Sequence, residues 1–235
     1  MSSFEDYSLS VDEHSGTARL FPLPNLVLFP HVMQPLHVFE PRYRDLVEAA
    51  LADDRLIAMA LLAPGWERDY EGRPPLYSTA CLGRVAAHVR LRDGSHNVLL
   101  MGLRRVGLIE ELPPEHRYRV ARVEIRDDVQ RACDAERASD LLGRLRRAFL
   151  RILPAMAQAE DQLEHLLRNQ ASLGTLTDVV AYMLDVGLDD KQALLAEVDV
   201  CRRAELLLSH LSAAARDGAP GRCGAAAFPP GFGAN

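Results

Sequence analysis

The chain is predicted to be α+β: a curled β unit holding one early helix, followed by a C-terminal helical bundle. Three observations carry this. Apolar runs of strand length, broken by Gly, Pro and Asp-Gly turns, fill residues 17–128. From about Val129 the apolar residues recur at three- and four-residue spacing instead. Within the β part, Pro41 follows Glu40 at the head of a helical pattern, where a first helical residue needs no N–H.

Residues 1–16 read as a flexible lead-in. Pro22, Pro24, Pro30 and Pro35 then fix bends around short apolar segments, because proline holds φ and denies the backbone a ladder hydrogen bond. Tyr43, Leu46, Val47, Ala50 and Leu51 give the early helix its apolar face, with Arg44 and Glu48 as an exposed i,i+4 pair. Phe39, Tyr43 and Leu46 are assigned to the core. "LIAMALLA" (56–63) is continuous enough for a strand buried on both faces. "CLGRVAAHVRL" and "HNVLLMGLRRVGLIEEL" flank Asp93-Gly94, a hairpin turn in which Gly tolerates positive φ. Gly102 and Gly107 in the second arm mark a bulge or sharp bend. "YRVARVEIRD" (118–127) supplies a further strand.

In the helical part, 129–215, Leu141, Leu142, Leu145, Phe149 and Ile152 form one stripe, and Leu163, Leu166 and Leu167 a second. A third follows through Leu176, Val179, Val180, Met183 and Leu184, with Thr175 or Thr177 as its cap. Asp189 or Asp190 can cap a fourth helix, and Asp199 a fifth running through Ala204, Leu207, Leu208 and Leu211. Residues 216–235, rich in Ala, Gly and Pro, lack periodicity and read as a disordered tail.

Composition is ordinary for a globular protein, and the net charge of −6 argues against a nucleic-acid partner, which needs a concentrated basic surface. Lys191 is the only lysine among 27 basic residues. It stands in "DDKQ", which fits neither a P-loop nor a Ser-Lys dyad. Its aspartate neighbours oppose the neutral form that a general base requires. G-x-S-x-G, H-E-x-x-H and G-x-G-x-x-G are absent. No catalytic residue, cofactor or metal ligand set is predicted. His31 and His37 lack partners at metal-ligand spacing, and Cys133 and His165 would meet only through tertiary structure. The four cysteines are dispersed, the N-terminus has no secretory pattern, and no apolar run nears the ~20 residues that span a bilayer. These features predict a cytoplasmic protein with free, packed thiols and no membrane partner. Arg144, Arg146, Arg147 and Arg151 share a helix whose Leu145, Phe149 and Ile152 mark them as a solvated face around a core stripe. The loop "APGWERDYEGRPPLYS" (63–78) carries Trp66, Tyr70 and Tyr77, either as a contact surface or as a lid folded back on the strands.

"LFPLPNLVLFPHVMQPLHVFEPRYRDLVEAAL" resembles the opening of the Lon substrate-binding domain: Pro-Leu-Pro, an apolar strand ending Phe-Pro, a Pro-Leu strand, then Phe-Glu-Pro-Arg-Tyr into a helix. "CLGRVA", "GLRR" and "YRVARVE" resemble its later strands in order, and "GTLTDVVAYML" with "DDKQALLAEVDVCRRAELLLSHL" its helical portion. The resemblance covers roughly Thr17 to Leu211. It implies a PUA-like β pseudobarrel before the bundle, without the family's ATPase and protease modules. It implies a noncatalytic module for unfolded or degron-bearing polypeptides, a quality-control or proteolysis adaptor that could work with an AAA+ protease. RNA binding, as in other PUA-like barrels, is the alternative. Residue type nominates Phe29, Pro30, Val32, Met33, Trp66, Tyr70 and Tyr77 as the peptide surface, with "FPHVM" at its centre.

Overall fold

The computed structural model describes residues 16–70, 72–131, 133–151 and 172–216. The chain divides between Asp127 and Asp128 into two compact units. The expected lead-in, the second helical stripe at 163–167, Ile152 and the tail lie outside the described residues.

The first unit holds β1 (Thr17–Leu23), β2 (Met33–Val38), α1 (Pro41–Ala52), β3 (Leu56–Leu61), β4 (Thr79–Arg90), β5 (His96–Glu111) and β6 (Arg119–Arg126). The strand order is β2-β5-β4-β3-β1-β6, and β5 also pairs with β6. Strands β5, β4, β3, β1 and β6 therefore close into a ring. The β1–β3 pair is parallel, with Leu20 opposite Ala58, so it needs the crossover that α1 helps supply. Five strands leave a narrow interior, and five of its ten core residues are alanines: Ala18, Ala58, Ala60, Ala80 and Ala121. β3 is buried along its whole length, as its unbroken apolar run predicts.

Three bulges bend the long strands. The registers of β4 and β5 leave Leu103 and Ala86 without an opposite residue, and those of β5 and β6 leave out Ile109. Leu103 adjoins Gly102, so the expected bend is found there. The expected turn holds: Gly94 has φ +81°, and the Asp93 carboxylate accepts from both the N–H and the hydroxyl of Ser95. Those bonds hold Asp93 below the ordinary carboxylate range. In α1, Tyr43 and Leu46 are core residues, and the Tyr43 hydroxyl donates to the Pro22 carbonyl at 3.0 Å. Phe39 is not core: it stands 64% exposed, because β2 has ended and α1 has not begun. Glu48 pairs across to Arg90 at 3.5 Å, where the sequence suggests Arg44.

The second unit holds α2 (Ala135–Leu150), α3 (Leu173–Met183), α4 (Leu188–Ala196) and α5 (Val200–Arg216). Leu141, Leu145 and Phe149 of α2 are buried, as are Leu176, Val179 and Val180 of α3. Ser172, not a threonine, caps α3 by accepting from the Thr175 N–H. Asp189 and Asp190 stand inside the first turn of α4 behind Gly187. Asp199 caps α5 as expected, accepting from the N–H groups of Cys201 and Arg202.

Arg203 is 0% exposed. Its guanidinium donates to both Asp128 oxygens (3.0 and 2.6 Å), the Thr177 hydroxyl (2.9 Å) and the Glu197 carbonyl (2.6 Å). A buried charge needs such partners, and these join three segments of the unit. Cys81 is a buried thiol outside any disulfide, but Cys133 and Cys201 are joined in one, contrary to the expectation of free thiols. Their separation of 68 residues gave the sequence no spacing to read.

Candidate functional site

Only half of β5 can serve the ring. Its Arg105–Glu111 portion pairs with β6, while His96–Met101 pairs with β2. β2 is thereby an outermost strand, and among the described residues no strand lies on its far side.

The hydrogen-bond phase fixes what that edge presents. The Gly102 N–H donates to the Val32 carbonyl at 2.8 Å, and the register runs Met33–Met101, Gln34–Leu100, Pro35–Leu99. Antiparallel pairs alternate between bonded and non-bonded. Gln34, Leu36 and Val38 therefore turn their backbone groups toward β5, and Met33, Pro35 and His37 turn theirs outward. Proline belongs in this phase, since its missing donor costs a ladder bond in the other. Gln34 Nε2 donates to the Pro35 carbonyl at 2.8 Å, so this one position offers a newcomer no N–H and an already engaged acceptor.

The side chains of Met33, Pro35 and His37 share a sheet face with Met101, Leu99 and Asn97 of β5, and with Ala87 and Val89 of β4. Met33, Pro35 and Leu99 are half-buried, Ala87 is exposed, and Val89 is 58% exposed. The His37 ring is held at 2.8 Å from the Asn97 amide oxygen and stacks on Phe39, with centroids 6.0 Å apart. The two most exposed large apolar side chains among the described residues, Phe39 and Val89, thus flank one apolar face beside an open edge.

On the opposite face, α1 reaches the sheet through Glu48. His96, buried there, has its Nε2 3.5 Å from Glu48 of α1, and Glu48 also reaches Arg90 of β4. Neither His96 ring nitrogen makes a well-aligned hydrogen bond. Burial pushes the His96 pKa below its ordinary value, Glu48 opposes that, and Arg90 and His88 reinforce it.

Seven residues were candidates from sequence. Three are corrections: Phe29 is 0% exposed, and Pro30 and Val32 are buried. The cause is local. His31 takes a left-handed φ of 65°, its N–H donates to the Gly102 carbonyl, and the Phe29 carbonyl lies 2.1 Å from where a Cβ on residue 102 would stand. The segment is drawn against β5, and only Gly at 102 allows that approach. Met33 does reach the open edge. Trp66 and Tyr70 meet each other edge-on at 5.6 Å. The Tyr70 hydroxyl donates to Glu40 at 2.9 Å, and the Arg42 guanidinium lies 4.7 Å from the ring centroids of both Tyr43 and Tyr70. This part of the loop folds back on the start of α1, where the sequence offered a contact surface or a lid on the strands. Burial, together with Glu40, raises the Tyr70 hydroxyl's pKa. Tyr77 continues the β3–β4 pairing, its N–H donating to the Leu61 carbonyl.

Pro35, His37, Phe39, Val89 and Leu99 were missed. Each strand of this face mixes polar and apolar residues on both sides, so alternation alone does not say which side is open. Among the described residues no group of His, Cys, Asp and Glu could hold a metal ion, and no helix is long and apolar enough to cross a membrane.

The family described as "ATP-dependent protease La (LON) substrate-binding domain" matches residues 17–213. The chain is 28% identical over 195 residues to Lon protease 2 of Myxococcus xanthus, and 32% identical over 195 residues to the Lon protease of Roseiflexus castenholzii. Each alignment covers 82% of this chain and 23% of the relative, so the chain spans about a quarter of these proteins. Among solved structures, the Lon N-terminal domain protein from Xanthomonas campestris superposes with a TM-score of 0.59 at 24% identity, covering 82% of this chain and 97% of that one. The N-terminal domain of the Mycobacterium avium complex Lon protease gives 0.65 at 17%, covering 83% and 98%. An α+β fold of this kind and a match over nearly the whole described length make one conclusion: the chain belongs to the Lon substrate-binding domain family.

Proposed function

We propose that this chain is a noncatalytic polypeptide-recognition module whose client lies across the β2 edge and the apolar face beside it. One observation carries the reading: the outward backbone groups of Met33 and His37 run alongside exposed Phe39 and Val89. An extended client segment would hydrogen-bond to the edge and set alternate side chains on Met33, Pro35, Leu99 and Val89. Met33 suits varied clients because an unbranched thioether repacks at little cost. The family's substrate-recognition role supports a polypeptide client and an adaptor's part beside an AAA+ protease. A soluble helper of this kind needs no cofactor and acts where unfolded chains collect, in the cytoplasm.

The test is fluorescence anisotropy with a labelled, unfolded apolar peptide. A Phe39→Glu, Val89→Glu double variant should melt within a few degrees of the wild type yet bind at least about tenfold more weakly, a loss of roughly 1.4 kcal/mol. Trp66→Ala should bind as the wild type does. Undiminished binding by the double variant removes this face; loss in Trp66→Ala alone moves the site to the loop.

A further inference from the structure

The helical unit holds a pair of cysteines that the polypeptide reading does not use. Cys133 lies one residue before Asp134, whose carboxylate caps α2 through the Arg137 N–H at 2.9 Å. Cys201 lies in the first turn of α5 and is fully buried. Their Cα atoms are 6.2 Å apart, inside the range that native bridges span, so the backbone need not move for them to join.

The segment is also held by contacts that use neither sulfur. The Val129 N–H donates to the Val198 carbonyl and the Val200 N–H to the Val129 carbonyl, both at 2.9 Å. Asp199 accepts from the Arg131 N–H at 2.8 Å, and Arg203 grips Asp128 through two oxygens. Four contacts other than the disulfide thus join residues 128–131 to the start of α5. A bridge whose neighbourhood is already ordered can open and close without unfolding its site. Access is unequal as well: Cys133 is only half-buried, while Cys201 and the third described cysteine, Cys81, are sealed.

We propose that Cys133 and Cys201 form a reversible dithiol–disulfide site for small peroxides. The Cys133 thiolate attacks one peroxide oxygen, breaking the O–O bond and giving a sulfenic acid and, after protonation, water. The Cys201 thiolate then attacks the Cys133 sulfur and displaces hydroxide, which leaves as water. Two thiols and one hydrogen peroxide become one disulfide and two waters, and a dithiol reductant returns the pair. The closed bridge spans 68 residues of sequence and the whole of α2, α3 and α4, so it removes conformations from the unfolded unit.

Purified protein is reduced with dithiothreitol, freed of it, treated with stoichiometric hydrogen peroxide, and mapped by mass spectrometry without reductant. A Cys133–Cys201 cross-linked peptide is expected, with Cys81 still open to alkylation after denaturation. The oxidised form should melt higher than the reduced form by on the order of 10 °C. Cys133→Ser, at the half-buried position, should fold and show neither the cross-link nor the shift. Thiols that stay free, cross-links between molecules instead of within one, or equal melting of both forms would each overturn the site.

Discussion

Phe29–Val32 and Met33–Phe39 are consecutive, similarly apolar, and built around proline, yet the first buries all but His31 while the second leaves alternate residues open. The first makes a single left-handed turn at His31 and is clasped to Gly102 from both sides of the peptide chain. The second is a regular strand paired along one edge only. Composition does not separate them; backbone phase does. Apolar character predicts burial only until a segment meets the end of the sheet, where alternate residues have nothing to face.

Breaking the buried member should have the largest effect. Phe29→Ala deletes a fully buried ring that cannot be replaced by collapse, since Gly102 already brings β5 to the closest approach. A loss of about 3–5 kcal/mol is expected, read as a lowered midpoint in urea unfolding. A loss below about 1 kcal/mol would mean that Phe29 packs as loosely as a surface residue, and the contrast with Phe39 would disappear.

The same contrast measures how far the sequence speaks. The strands β3 to β6, the Asp93-Gly94 turn, Pro41 at the start of α1 and the double burial of β3 are each written in a local pattern and are legible; the apolar strand expected to end at Phe29-Pro30 is instead an irregular segment between β1 and β2. The face of β2 is not, because it depends on which half of β5 is left over when the ring closes. Arg203 hid for a related reason. It falls on the apolar stripe between Val200 and Ala204, and its partners stand as far as 75 residues away. The pairing of Cys133 with Cys201 is equally non-local.

A smaller effect should come from His96, which supports the exposed strand from behind, opposite Val38. Its pKa is depressed chiefly by burial, so the unfolded chain accepts a proton that the folded one refuses. This contribution is full above the unfolded value of about 6.5 and is lost as pH falls through it toward the lower folded value. Protonation would set a cation beside Arg90 and His88, with Glu48 alone to offset it. His96→Phe keeps the ring without the titration. Urea midpoints between pH 8 and pH 5 should fall more steeply for the wild type than for the variant; parallel slopes would remove His96 as the cause.

The smallest expected change is a gain. Pro35→Ala adds an N–H at the one outward position of β2 that lacks it, while Met33 and His37 keep theirs. One further backbone hydrogen bond to an extended client is worth roughly 0.5–1.5 kcal/mol net, about a two- to twelvefold tightening. The open edge would also become more prone to pairing with itself, so dimer formation in sedimentation should rise with concentration. Both changes follow only if clients dock on this edge in the phase that the Gly102–Val32 bond dictates. A client that touches the apolar face alone would leave Pro35→Ala unchanged while still failing on Phe39→Glu, Val89→Glu. The pair of variants therefore separates recognition through the backbone from recognition through the side chains.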